Sequence, residues 1–285
     1  MKKTMLDFIR MAASGEKITY LTAYDYLTAK YQERAGVDMI LVGDSMGMVS
    51  LGYDTTFPVT MEDMISASKA VRRGAPDTFI IGDMPYMSYQ VSDEQAIENA
   101  GRFVKEAGCD AVKLEGCNPS ISQRLKAISN AGILVSGHIG LTPQFAGQLG
   151  GYKAQGRSAE NAMKLLEQAH DLEVAGAAMI LVEGVPAIVG KAITDHAGIP
   201  VLGIGAGAST HGQLLIYADM VGMYDNFTPK FVKKYADIGS ELLRAFTEYC
   251  EDIRAGKFPV DSEHTYRISD EEAEKFKRLM EEKYQ

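Results

Sequence analysis

The sequence predicts a single α/β domain folded as a TIM (β/α)8 barrel, with extra helices at its N- and C-terminal ends. Three observations point there. Six helix-stop glycines, Gly36, Gly74, Gly108, Gly132, Gly176 and Gly198, each lead into a short apolar run. A helix followed by a strand, over and over, builds a parallel sheet. The runs carry little polar alternation, which marks strands buried on both faces. Five of them end at an acid or a histidine: MILVGD at Asp44, FIIGD at Asp83, AVKLE at Glu115, ILVSGH at His138 and AMILVE at Glu183. Ligands bind at the C-terminal strand ends of such sheets, so these polar ends would share one mouth.

In chain order, MKKTMLDFIRMAASGEK reads as an amphipathic helix rather than a signal peptide, because its lysines precede no unbroken apolar core. ITYLTA (18–23) is the first strand. Thr60 opens the helix MEDMISASKAVRR, and Ser92 opens DEQAIENAGRFVKEA with a capping-box pattern. Asn118 supplies a cap with Pro119 at the first helical position, and Ser158 opens a helix that Gly176 closes. VLGIGAG is the seventh strand, and the short DMVGM (219–223) is expected as the eighth. Eight strand–helix units in about 250 residues is typical of this barrel, and the count favours it over an open doubly wound sheet. No Pro/Gly/Ser-rich linker divides residues 1–285, so one catalytic domain is expected, with the barrel over about 18–255 and a charged tail over about 256–285. A long tail helix is expected over about 230–255, covering a barrel end or an oligomer interface.

Composition narrows the function classes. At 46% hydrophobic and 24% charged residues the chain has an ordinary globular make-up. It has no run of about 18 apolar residues, so no membrane partner is expected. A formal charge of −9 disfavours nucleic acid, whose phosphates need a basic surface. Three scattered cysteines are too few for a disulfide framework, and a cytoplasmic location is the expectation.

The chemistry-bearing residues suggest metal-assisted work. Asp44, Asp83 and Glu115 are hard oxygen ligands at three successive strand ends. Mg²⁺ takes one or two carboxylates, waters and bidentate substrate oxygens, and an α-oxo acid offers such a chelate. A metal there would act as a Lewis acid and acidify the adjacent C–H. Lys113 lies two residues before Glu115, so both face the same way in a strand. A lysine inside AVKLEG needs an anionic partner, either a substrate carboxylate or an internal acid. Glu183 ends the most apolar run; burial raises a carboxylate's pKa and makes it a better base, although a metal ligand or helix cap is the plainer reading. Ser45 offers a hydroxyl or backbone N–H to a substrate. His138 binds substrate, steers a proton or is a satisfied core histidine. GIGAG (203–207) is either a phosphate-cradling loop or a tight packing point.

With these residues assembled, the chain closely resembles the 3-methyl-2-oxobutanoate hydroxymethyltransferase family, the ketopantoate-forming enzymes of pantothenate and coenzyme A synthesis. The likeness runs from Thr22 to about Tyr235. It rests on TAYDY, LVGDSMGM, GDMPYM, VKLEG, GHIGLTPQ, GGYKAQGR, LVEGVP, GIGAG and PKFVKKY. It implies a TIM barrel that uses Mg²⁺ and takes 5,10-methylenetetrahydrofolate as co-substrate, transferring a hydroxymethyl group to 3-methyl-2-oxobutanoate through an enolate. Asp44, Asp83 and Glu115 would be the metal-site carboxylates. Asp44, Ser45, Asp83 and Lys113 would hold the oxo acid, Glu183 would accept the proton, and His138 would support them. The family commonly forms a homodecamer. Two departures, Tyr53 where the family often has His and His211 where it often has Asp, fall outside these positions. A Mg²⁺-dependent lyase or mutase of the phosphoenolpyruvate/isocitrate-lyase type, acting on another α-oxo acid, is the rival enzyme reading.

Overall fold

A computed structural model describes residues 2–284. Eight parallel strands close into a barrel in sequential order. They are β1 Ile18–Thr22, β2 Met39–Val42, β3 Phe79–Asp83, β4 Ala111–Glu115, β5 Leu134–Gly140, β6 Met179–Glu183, β7 Val201–Ile204 and β8 Gly212–Leu215. The ring closes where β1 pairs with β8, Ile18 beside Gly212.

The strands are buried on both faces, but the two faces bury different things. One row, Tyr20, Met39, Leu41, Phe79, Ile81, Ala111, Met179, Leu181, Leu202, Ile204 and Leu214, packs together as one apolar cluster, the barrel interior. Phe8 and Met11 of the N-terminal helix Met5–Ser14 join that cluster, so the predicted amphipathic helix buries its apolar stripe there. The alternate row, including Ile40, Val42, Ile80, Val112, Leu114, Val135, Ile180 and Val182, packs against the surrounding helices. Following the interior row upward at period two leads from Phe79 and Ile81 to Asp83, from Ala111 to Lys113 and Glu115, and from Met179 and Leu181 to Glu183. The polar ends therefore cap the interior layers and point into the mouth of the barrel.

The helices start where their caps are. Ser92 accepts from the Gln95 backbone N–H to open Asp93–Ala107, and Asn118 does the same from Ile121 ahead of Pro119. Of the six stop glycines, Gly36, Gly108, Gly132 and Gly176 adopt positive φ, the conformation a left-handed stop requires. Gly74 serves differently: a Cβ there would run into the backbone carbonyl of Tyr26 on the neighbouring helix Tyr26–Ala35.

Two expectations need correction. The eighth strand is Gly212–Leu215, not residues 219–223; Asp219 lies in the short helix Tyr217–Met220. Leu214 supplies the interior contact, and Gly212 lets the strand come close to the Ile18 carbonyl. With one polar residue between small and apolar ones, this strand looks like a loop in the sequence. The tail helix is Ile238–Arg254, starting at an Asp237 cap that accepts from Ser240, rather than at about residue 230. By its contacts the chain divides into two compact units, one ending at Ala236 and one starting at Asp237, and the tail helix lies in the second. That helix carries exposed Leu243, Phe246 and Tyr249. Among the described residues no helix is long and apolar enough to cross a membrane.

Candidate active site

A cleft of about 1040 Å³ opens at the C-terminal ends of the strands, and Asp44, Ser45, Asp83, Lys113, Glu115, His138 and Glu183 all line it. Parallel register sets their order. Asp83 pairs with Lys113 across β3 and β4, and Glu115 pairs with His138 across β4 and β5. Asp44 lies two residues beyond β2, where its backbone N–H donates to Asp83 Oδ2 at 3.1 Å.

Asp44, Asp83 and Glu115 each offer a carboxylate oxygen within 4.8 Å of the others, all buried. Lys113 Nζ, fully inside the barrel, lies 2.8 Å from Asp83 Oδ1 and 3.0 Å from Glu115 Oε1. Lys113 and Asp83 pair by charge, and Asp83 Oδ1 accepts no well-aligned hydrogen bond among the described residues. Burial, and then the charges of Asp83 and Glu115, push the Asp44 carboxyl well above the usual range, with Lys113 and Gln144 opposing. Burial also raises Asp83, against the pull of Lys113. Glu115 is different: burial again favours its proton, but Lys113, His138 and the Gln144 backbone N–H outweigh it and hold the carboxyl at about 2. Burial works against the Lys113 charge, yet Asp83, Glu115 and Asp44 outweigh it and keep the ammonium protonated. With all three carboxyls ionised, three negative charges would face one ammonium, and a divalent cation would balance them. The buried, unaligned Asp83 oxygen and an all-oxygen donor set both fit a hard cation such as Mg²⁺.

Glu183 stands apart from this cluster. Its side chain is 17% exposed to the cleft, less enclosed than its apolar run suggests. His138 lies between the two groups. Strand β5 runs on past it to Gly140, so it is an interior residue rather than a strand end. Its Nδ1 is 3.4 Å from Glu115 Oε1, and its Nε2 is 3.2 Å from Glu183 Oε2, off the line of a hydrogen bond. Burial and Lys113 favour the neutral ring, but Glu115 and Glu183 outweigh them and raise the His138 pKa. Ser45 shares a 2.8 Å hydrogen bond with the Tyr24 hydroxyl. The GIGAG glycines meet packing needs: a Cβ on Gly203 would sit 2.8 Å from Thr210 Oγ1, one on Gly207 2.7 Å from Ala187 Cβ, and one on Gly205 2.4 Å from Phe231 Cδ1.

Sequence reasoning passed over several cleft residues. Tyr152, Arg157, Asp219 and Lys230 line it, and Gln144 touches two of the three acids. Gln144 ends the GHIGLTPQ string but sits in the short 3-10 segment Pro143–Phe145, where no period ties a residue to a face.

A family model described as ketopantoate hydroxymethyltransferase matches residues 2–261. The chain belongs to this family. A 3-methyl-2-oxobutanoate hydroxymethyltransferase of Alkaliphilus metalliredigens is 54% identical over 99% of this chain and 98% of its own. Proteins of the same name from Bacillus licheniformis and Geobacillus thermodenitrificans are 52% and 50% identical, over 93% and 95% of this chain and 95% and 96% of their own. Among solved structures, a phosphonopyruvate hydrolase complexed with oxalate and Mg²⁺ superposes with a TM-score of 0.60 over 99% of both chains, at 14% identity. A 2,3-dimethylmalate lyase of the PEP mutase/isocitrate lyase superfamily does so at 0.60 and 16% identity, over 93% of this chain and 92% of its own. At such identities the ketopantoate hydroxymethyltransferase family shares a barrel with these lyases and mutases, and the rival enzyme reading rests on fold alone.

Proposed function

We propose that this enzyme transfers a hydroxymethyl group from 5,10-methylenetetrahydrofolate to 3-methyl-2-oxobutanoate, giving 2-dehydropantoate and tetrahydrofolate. The observation that supports it most is the separation of a three-carboxylate cluster from Glu183 across His138. Asp44, Asp83 and Glu115 would hold Mg²⁺, which supplies Lewis acidity to the carboxylate and ketone oxygens of the oxo acid. Lys113 keeps its charge inside the barrel and serves the substrate carboxylate, with Ser45 beside it. Glu183 takes the proton from C3. It comes from β6, away from the three acids, so its carboxylate is free for that work. The deprotonated carbon bonds to the one-carbon unit, both carbon–nitrogen bonds from that unit to the folate break, and water supplies the hydroxyl; the proton taken by Glu183 and one from water end on the two folate nitrogens as tetrahydrofolate leaves. Apolar and aromatic cleft residues such as Tyr152, Tyr224, Phe227 and Phe231 give the second substrate a wall to lie on.

Glu183→Gln tests the assignment. Deuterium exchange at C3 of 3-methyl-2-oxobutanoate should fall by about 10²-fold or more, with metal and oxo-acid binding within a few fold of the parent. Exchange at the parent rate would reject Glu183 as the base. A homodecamer and a cytoplasmic site of action belong to the same reading; the exposed apolar stripe of Ile238–Arg254 and three unpaired cysteines fit them.

A further inference from the structure

We infer that Gln144 is the positioning residue of the metal centre, orienting Asp44 and Glu115 together, and that Tyr89 sets Gln144 in turn. The inference rests on the metal reading above.

Gln144 Nε2 donates to Asp44 Oδ2 at 2.9 Å and to the Met84 carbonyl at 2.9 Å. Its backbone N–H donates to Glu115 Oε2 at 2.9 Å. Its Oε1 accepts from the Tyr89 hydroxyl at 2.7 Å and more weakly from Gln90 Nε2 at 3.4 Å. Those partners fix which way the amide faces. Turned over, Oε1 would oppose a carboxylate and a carbonyl, and both hydrogen bonds would become repulsions.

Tyr89 is held by the strand it serves. The Glu115 backbone N–H donates to its oxygen at 3.1 Å. The hydroxyl has one proton, and the shorter contact gives it to Gln144. The chain of donors runs from Glu115 N–H to Tyr89, from Tyr89 to Gln144, and from Gln144 to Asp44. Gln144 N–H closes the loop on the Glu115 carboxylate. Tyr89 is 0% exposed, Glu115 1%, Asp44 3% and Gln144 3%, so water does not compete.

The division of labour is electrostatic. Lys113 reaches Asp83 and Glu115, whereas the Asp44 side chain has Gln144 as its hydrogen-bond donor among the described residues. A neutral amide orients a carboxylate without cancelling its charge. Asp44 Oδ2 is held by a group that brings no charge of its own. The loop after β5 thereby ties down the end of β2, across a hundred sequence positions.

The test is a metal-binding cycle on the full chain with Mn²⁺ as probe, read by electron paramagnetic resonance of the free ion. Gln144→Met keeps volume and the backbone N–H but removes the amide. Its Mn²⁺ dissociation constant should rise about 10–100-fold, the usual loss when a ligand's supporting partner goes. Tyr89→Phe should weaken binding in the same direction by less. The double variant should bind no worse than Gln144→Met, because Tyr89 acts through Gln144; a packing role would give additive losses. Binding within twofold of the parent in Gln144→Met, or additive losses, would overturn the inference. If Gln144→Met does not fold, Tyr89→Phe decides alone: a dissociation constant within twofold of the parent overturns it. A parent chain that binds no Mn²⁺ removes the metal reading and this inference together, while a binding parent with an unaffected variant removes this inference only.

Discussion

Asp219 shows what enclosure alone does to a carboxylate. It lines the cleft 4% exposed, and burial pushes its pKa up from 3.8 to about 6, with Lys234 opposing. Its folded-state pKa lies above the unfolded value, so the fold prefers the protonated form. The group costs nothing below about pH 4; the cost grows between about 4 and 6 and stays constant above. Asp219→Asn should therefore stabilise the protein at pH 8 by about 2–3 kcal/mol and leave it unchanged at pH 4. Calorimetry at the two pH values checks this, and equal shifts at both would reject burial as the cause. At this scale the sequence was legible where a period constrained it. Lys113 and Glu115, two apart in AVKLE, had to share a face, and they do. Tyr89, Gln144 and Asp219 stand on turns and short helical segments, where neighbours are set by the chain path rather than by spacing.

At the scale of elements, the close approach of helix to strand sets the positions of the acids. Gly82 precedes Asp83 and faces the helix Asp93–Ala107, where an added Cβ would enter the buried Phe103 ring. Gly82→Ala should cost about 1–3 kcal/mol through overpacking. Because β3 must shift to relieve the clash, Asp83 moves with it, and the metal concentration needed for half-maximal activity should rise. Urea unfolding and a metal titration measure the two effects; an unchanged midpoint in both would show that β3 has slack there. Strands β3 and β4 match their sequence runs end to end, since long apolar stretches between a helix stop and an acid leave little freedom. Strand β8 was missed because four residues, one of them glycine and one glutamine, carry too few apolar positions to set a pattern. The closing contact with β1, not local preference, makes it a strand.

For the whole molecule, the buried charge links stability to metal. Asp44 and Asp83 both have carboxyls raised by burial, so the metal-free fold favours their protonated forms and loses stability as pH rises above the ordinary carboxylate range. A cation that binds the ionised carboxylates displaces those protons. The rise in Tm on adding Mg²⁺ should accordingly be larger at pH 8 than at pH 5.5. Scanning calorimetry with and without Mg²⁺ decides it, and an increment independent of pH would count against these carboxylates as the ligands.

The pairing of Ile18 with Gly212 also has a consequence in time. A ribosome working at about 5–20 residues per second needs on the order of 10–40 s to deliver the second partner after the first. Throughout that interval the first strand has one neighbour fewer than it needs, and the helix bearing Phe8 and Met11 has no finished interior to enter. Phe8, Met11 and Ile18 thus wait for their full set of apolar neighbours until nearly all of the barrel has been made.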